Sequence, residues 1–197
     1  MTKHFSQASL AHSELILGGQ RSGKSRRAEM LAKDWLAQST RHRAVLIATA
    51  QPWDNEMRER IARHQLDRAE RVPGMQTVEE PIHLAEALEE HSQPLTLVVV
   101  DCLTLWLTNW LMPIENIKEK ESESHSQQAQ AAMFLRAISQ APGPIILVGN
   151  EIGLGVIPLG RETRNFVDAL GRLNQDVAQV CERVILMAAG LPLTLKG

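Results

Sequence analysis

The 197-residue chain has only two cysteines, Cys102 and Cys181, and they show no metal-ligand spacing. Two isolated thiols suit a reducing cytosol, where most are small buried hydrophobes. An excess of positive charge is also lacking: 21 Lys+Arg stand against 23 Asp+Glu, a formal charge of −2. That balance gives no support to a nucleic-acid or membrane-surface partner, which would favour a basic face. The most apolar run, LTLVVVDCLTLWL (95–107), is too short and too interrupted to form a transmembrane segment. The first 13 residues, MTKHFSQASLAHS, lack the apolar core of a signal peptide. The expectation is a soluble, cytoplasmic protein.

What is present is an ordinary globular composition, with 44% apolar and 22% charged residues. The length predicts one domain, 14–197, behind a short N-terminal extension, 1–13. Five short runs read as buried strands: ELILGG (14–19), AVLIATA (44–50), LTLVVVD (95–101), PIILVGN (144–150) and RVILMAA (183–189). Continuous rather than alternating hydrophobicity is what parallel strands covered on both faces require. Helical patterns fall between them at 25–37, 54–70, 82–91, 127–141 and 161–181. The last is the clearest, with Phe166, Leu170, Leu173, Val177 and Val180 at helical spacing. PIENIKEKESESHSQQ (113–128) reads as a mobile surface loop, and the tail GLPLTLKG (190–197) as an edge strand. The alternation predicts an α/β domain of three layers around a mainly parallel central sheet.

GGQRSGKS (18–25) follows the first strand and opens the first helix, and it fits G-x-x-x-x-G-K-[ST]. Glycines let backbone N–H groups curl around phosphate oxygens, and a helix N-terminus adds favourable dipole charge. In that arrangement Lys24 reaches the β- and γ-phosphates and the Ser25 hydroxyl ligates Mg²⁺. The four fixed positions co-occur by chance in under about 1% of chains of this length. A metal-bound nucleotide needs a second acid, usually at the end of a neighbouring strand, and Asp101 closes LTLVVVD in that way. No other predicted strand ends on an acid, and Glu151, just after PIILVGN, is the runner-up. The sequence after Asp101 is CLT rather than D-x-x-G, and no N-K-x-D occurs, which speaks against a GTPase switch. A small group-transfer enzyme of the P-loop NTPase type remains.

GGQRSGKS, IATAQPWDNEMRERIARHQLDR (47–68), VDCLTLWLTN (100–109), VGNEIGLGVIP (148–158) and FVDALGRLNQ (166–175) occur in that order. Together they resemble the bifunctional adenosylcobinamide kinase/adenosylcobinamide-phosphate guanylyltransferases of cobalamin biosynthesis, from about Glu14 to Lys196. The resemblance implies a P-loop α/β homotrimer with two activities. In the first, ATP or GTP phosphorylates the hydroxyl on adenosylcobinamide's aminopropanol arm. In the second, GMP passes from GTP to that phosphate, giving adenosylcobinamide-GDP and pyrophosphate. It implies His64 as the guanylylated residue, and Lys24 as its catalytic partner in the phosphate loop formed by Gly18, Gly19, Gln20, Arg21, Ser22, Gly23, Lys24 and Ser25. Further implied nucleotide contacts are Thr49, Ala50, Gln51, Gln65, Leu66, Asp67, Arg68, Glu79 and Asp101, with Ser25 and Asp101 on Mg²⁺. Two departures bear on the acceptor side: Gly149 stands where the family has Ser or Thr, and LGRET after Pro158 is atypical.

The chemistry suits a histidine. An imidazole nitrogen can accept a nucleotidyl group as a phosphoramidate and then release it, splitting one transfer into two. An unperturbed imidazole is already roughly 90% neutral at about pH 7.5. Nearby cations could gain only the last tenth or so, so Arg60, Arg63 and Arg68 are better explained as partners for the triphosphate and departing pyrophosphate. Met57, Ile61, His64 and Arg68 share one face of a helix, which predicts an inward, semi-apolar setting for His64. Taken alone, such a histidine is more often a packed core residue; the resemblance reverses that reading. His42, His83, His91 and His125 read as solvated, and Trp106 and Trp110 as packing or subunit contact. The glycines of VGNEIGLGVIP could form a substrate loop or merely a tight connection. Two alternatives stand beside the bifunctional reading: a single-function small-molecule kinase with a structural His64, and a nucleotide-binding regulatory module. On the arginine argument, Arg68→Ala should slow guanylylation, measured as α-phosphate label on the protein, with little movement of the pH optimum.

Overall fold

The computed structural model describes residues 10–112, 127–156 and 158–197. Seven strands form one sheet: β1 (Ser13–Gly18), β2 (Arg43–Ala48), β3 (Gln76–Glu79), β4 (Thr96–Asp101), β5 (Ile145–Val148), β6 (Arg183–Ala188) and β7 (Leu191–Lys196). Their spatial order is β3-β2-β4-β5-β1-β6-β7. Every pairing is parallel except β6 with β7, which is antiparallel. Six helices complete the described chain: α1 (Lys24–Gln38), α2 (Asn55–Arg71), α3 (Leu84–His91), α4 (Leu103–Leu111), α5 (Gln127–Gln140) and α6 (Arg161–Val180).

Central strands explain the three layers. Along β1, Leu15 and Leu17 enter one apolar core while Ile16 between them enters the other. This is the period-two alternation of a strand buried on both faces. On the first face lie α3, α4, α5 and α6, with Leu170, Leu173 and Val177 of α6 buried as its spacing predicts. On the second face α1 presents Ala28 and Ala32, two small residues one turn apart that let the helix lie close on the sheet. The α2 helix packs outside α1, held by Arg71 to Glu29 at 2.8 Å. All five sequence-predicted strands are present, and the tail forms the predicted edge strand. Its Pro192 and Lys196 are residues that discourage further pairing.

Two elements add to the expected set. β3 has only four residues, QTVE, mostly exposed, so it offers no apolar run to read. Because β3 ends on Glu79, Asp101 is not the only acid closing a strand. α4 realises the helical spacing of Trp106 and Trp110. Trp106 is fully buried, packs against Phe134 with ring centroids 5.4 Å apart and donates its indole N–H to Ile82 O at 2.8 Å. His42, expected in solvent, is half-buried and stacked on Trp35 at 3.7 Å, with Nδ1 bonded to Trp35 O at 2.8 Å. The predicted loop 113–128 lies outside the described residues up to 126, as does His125. Of the N-terminal extension, residues 1–9 lie outside them too, while His12 bonds Glu182 and Ala141.

A charge cluster lies at the N-terminal ends of β1 and β6. Glu14 is fully buried on β1 and receives Arg27 of α1 at 3.0 Å and Arg183 of β6 at 3.4 Å. Removing one member of a buried ion group leaves the others uncompensated, at about 3–5 kcal/mol. Here the arginines keep 20% and 18% of their side-chain surface exposed, which softens the penalty. Glu14→Gln should therefore lower unfolding stability by about 2–3 kcal/mol in urea titration, with an unchanged m-value.

Candidate active site

Parallel strands deliver their C-terminal ends to one edge, and the predicted phosphate loop forms there. Gly18 (φ 150°) turns the chain out of β1, and a Cβ on it would lie 2.5 Å from Met187 O and 2.6 Å from Ser22 Oγ. Gly23 (φ 100°) leads into α1, which has no side-chain cap and no acid in its first turn. Its first N–H groups therefore keep their capacity for an anion, undiluted by local negative charge. Gly19, Gln20 and Arg21 are exposed, Ser25 is half-buried, and the buried Ser22 hydroxyl has no partner among the described residues.

Lys24 is 8% exposed and donates from Nζ to Gly19 O at 2.7 Å, folding over its own loop. Burial lowers its pKa, Cys102 and Asp101 work the other way, and the charge of Arg60 lowers it further. The Cys102 thiol is itself pushed up to about 12, chiefly by burial, so it is uncharged near neutrality. Asp101 is thus the operative counter-charge to Lys24. Cys181 is likewise pushed up to about 12 by burial, which agrees with two inert, buried thiols.

Asp101 ends β4, where Thr49 fixes the following turn. Thr49 is fully buried; its Oγ1 donates to Cys102 O at 2.7 Å and accepts from Cys102 N at 2.8 Å, while its own N–H bonds Asp101 O at 3.1 Å. It exposes no surface, and its bonds hold the turn that follows Asp101. Asn109, also buried, donates from Nδ2 to Thr49 O at 2.9 Å and Pro81 O at 3.0 Å, tying the chain beyond β2 to the chain beyond β3. Sequence reasoning missed Asn109. Its signal was a lone amide closing the apolar helix LTLWLTN.

The α2 helix divides the remaining candidates. Gln65 donates to Glu79 at 3.2 Å, and with Ala50 these two line a cavity of about 140 Å³ between α2 and the ends of β2 and β3. Gln51 is half-buried beside them in sequence. Leu66 is 70% exposed, and Asp67 is paired with Arg71 at 3.0 Å. These two do not join the loop. Arg68 is buried and makes no side-chain hydrogen bond or ion pair among the described residues, whereas Arg63 is exposed. His64 is exposed, contrary to the inward setting predicted from helical spacing. Of the stripe, Met57 and Ile61 are half-buried and only Arg68 is buried, because α2 is an outer helix resting on α1 rather than on the sheet. His64 nevertheless shares a face with Arg60, one turn earlier, whose charge reaches Lys24.

Beyond β5 the chain returns to the loop. Glu151 N–H donates to Gly18 O at 3.1 Å, Asn150 N–H to Thr104 Oγ1 at 2.9 Å, and Asn174 Nδ2 to Asn150 O at 3.0 Å. The buried Asn174 Oδ1 has no partner among the described residues, and a Cβ on Gly149 would lie 3.3 Å from it. A serine at 149 would set a hydroxyl beside that oxygen, which gives the departure at Gly149 a physical meaning. Glu151 and Asn174 line a second cavity of about 400 Å³ between α6 and the β1–β6–β7 side of the sheet.

The donor set suits a magnesium ion held jointly with a nucleotide. Among the described residues no group of three acidic, histidine or cysteine ligands exists to cage a metal. Mg²⁺ usually takes one or two protein oxygens and completes its shell with phosphates and water, which Ser25 and Asp101 could supply at the loop. No described helix is long and apolar enough to cross a membrane.

Known proteins extend this picture. The flagellar accessory protein FlaH of Methanocaldococcus jannaschii superposes with a TM-score of 0.51 at 12% identity, over 95% of this chain and 79% of that one, and so shares its α/β fold. The bifunctional adenosylcobalamin biosynthesis protein CobP of Pseudomonas aeruginosa is 46% identical over 185 residues, spanning 93% of this chain and 97% of the relative. The bifunctional adenosylcobalamin biosynthesis protein CobU of Escherichia coli is 34% identical over 92% of this chain and 98% of its own. Residues 14–195, from the buried acid of β1 through the edge strand, match the CobU description, cobinamide kinase / cobinamide phosphate guanyltransferase, and the chain belongs to that family.

Proposed function

We propose that this chain catalyses two successive transfers to one acceptor. ATP or GTP first phosphorylates the hydroxyl of adenosylcobinamide; GTP then gives GMP, by way of His64, to the new phosphate. The products of the second step are adenosylcobinamide-GDP and pyrophosphate. One observation carries the reading beyond family membership: the phosphate loop leaving β1, Asp101 closing β4, and Glu79 closing β3, which Gln65 beside His64 contacts at 3.2 Å, all stand at the C-terminal edge of one parallel set of strands. Loop, acid and histidine-bearing helix therefore meet at one edge of the sheet.

The roles follow from charge and geometry. Backbone N–H groups from Gly18 to Ser25 and the open N-terminus of α1 hold the phosphates. Lys24 would exchange its bond to Gly19 O for β- and γ-phosphate oxygens, a charge-assisted contact in place of a neutral one. Ser25 and Asp101 would hold Mg²⁺, whose chemistry is to neutralise charge developing on the phosphate oxygens. Thr49 and Asn109 keep Asp101 and the 50–51 segment in place. Glu79, which Gln65 already engages, offers carboxylate oxygens to paired N–H donors such as guanine carries. In the guanylyl step a His64 nitrogen bonds to the α-phosphorus, the bond to the bridging oxygen breaks, and pyrophosphate leaves with the electron pair beside Arg60 and Arg68. A cytoplasmic homotrimer is part of the same proposal, supported by the resemblance and by two unpaired, buried thiols.

Radiolabelled GTP separates this reading from a simple kinase and from a regulatory module. With Mg²⁺ and α-labelled GTP, the protein should take up label that survives base, is lost in acid, and is absent from His64→Ala. With γ-labelled GTP or ATP, cobinamide should become labelled. A protein that transfers γ-label but never takes up α-label is a kinase only; one that binds nucleotide and transfers neither is a binding module. Lys24→Ala should reduce both transfers by roughly 100-fold or more, as loss of a phosphate-stabilising cation does. Full kinase activity in that variant would require a second nucleotide site.

A further inference from the structure

Strand order places one acid in a distinctive position. β5 lies between β4, which ends on Asp101, and β1, which ends in the phosphate loop. The chain leaving β5 therefore emerges between the proposed magnesium acid and the proposed phosphate cradle, at the edge where ligands of open α/β sheets bind. Glu151 stands there, its backbone N–H fixed on Gly18 O at 3.1 Å. Its Oε1 accepts from Gly153 N–H at 3.0 Å, which orients the carboxylate and leaves Oε2 without a hydrogen bond among the described residues.

Other acids at this edge are committed or remote. Glu80 Oε1 receives the N–H groups of Ile82 and His83 at 2.9 and 2.8 Å. Glu79 is engaged by Gln65, and β3 is separated from β1 by three strands. Glu151 alone among these joins the loop to a space large enough for an incoming arm, the cavity of about 400 Å³ that it lines with Asn174 and Gln175. The segment after it exposes Ile152, Leu154, Val156 and Leu159, an apolar rim for the bulk of a large acceptor.

Resting on the two-step reading above, we propose that Glu151 is the general base of the phosphoryl-transfer step and has no chemical part in guanylyl transfer. In the first step the acceptor hydroxyl oxygen bonds to the γ-phosphorus. The bond from that phosphorus to its bridging oxygen breaks, nucleoside diphosphate leaves with the electron pair, and the hydroxyl proton passes to Glu151 Oε2. In the second step the attacking atom is an oxygen of the phosphate just installed. A phosphate monoester has a second pKa of about 6 and is already ionised near neutrality. It attacks the phosphorus on His64, the P–N bond breaks, and the pair returns to the ring nitrogen; no proton need be removed.

The two acceptors therefore make different demands on one residue, and Glu151→Gln separates them. Glutamine keeps an oxygen for the Gly153 N–H but cannot take a proton. We expect roughly 100-fold or greater loss of kcat for γ-label transfer to cobinamide with KM nearly unchanged, the scale of a lost general base. Uptake of α-label on His64, and its discharge to supplied cobinamide phosphate, should stay within about threefold of the parent protein, and Glu151→Asp should recover part of the kinase rate. Kinase activity in Glu151→Gln within about tenfold of the parent would overturn the proposal, as would parallel loss of α-labelling, which would make Glu151 a nucleotide or metal contact. Parent protein that transfers no γ-label to cobinamide would overturn the two-step reading itself, and the base with it.

Discussion

The close approach at Gly18 is the constraint on which the site depends. No side chain fits there, because a Cβ would meet Met187 O at 2.5 Å and Ser22 Oγ at 2.6 Å. Gly18 pairs with Met187 of β6 in register, and its carbonyl receives Glu151 N–H. Gly190 N–H bonds Ser22 O at 3.1 Å, so the turn between β6 and β7 braces the loop from the other side. One residue without a side chain thus brings the ends of β1, β5 and β6 within hydrogen-bond distance of each other. The phosphate loop is rigid because it is bonded on both flanks, and a rigid array of N–H groups needs no rearrangement when charge arrives.

A second brace lies across the sheet. Thr49 and the Asp101–Cys102 turn exchange three hydrogen bonds, and Asn109 adds two more that reach Pro81. Thr49, Cys102 and Asn109 are buried, where an unmade hydrogen bond would cost about 1–3 kcal/mol, so the network resists partial opening. Its consequence is positional. Asp101 faces Lys24 from a fixed place, near enough to offset part of the pKa depression that burial imposes on the lysine.

Much of the fold was legible because buried parallel strands are written as uninterrupted apolar runs. All five such runs became strands, and the stripe from Phe166 to Val180 became α6. What escaped has a common cause. β3 is an exposed edge strand stabilised by pairing with β2 rather than by burial of its side chains, and nothing in QTVE advertises a backbone partner. The site divides in the same way. GGQRSGKS carries its chemistry in local backbone geometry and could be read in place. The setting of His64 depends on which helix α2 packs against, a tertiary fact; spacing identified the stripe but not its exposure. Asn109 and Thr49 act by bonding carbonyls and N–H groups distant in sequence, which no local pattern encodes. Family resemblance named Thr49, whose hydroxyl bonds the Cys102 backbone, a pairing no local pattern shows.

The arrangement also bears on why one chain can hold two transfers. On the proposed function both draw on the same triphosphate grip, but the electrophilic phosphorus differs, and so does the proton inventory of the attacking atom. A hydroxyl must lose a proton as it attacks; a phosphate oxygen and a neutral imidazole need not. On the proposed assignment, a group needed by only one attack belongs on a different element from a group needed by the other. Glu151 follows β5 on the loop's flank, while His64 stands on α2, the outer helix. Separation of this kind leaves the shared loop unchanged between steps and lets the attacking group select the phosphorus.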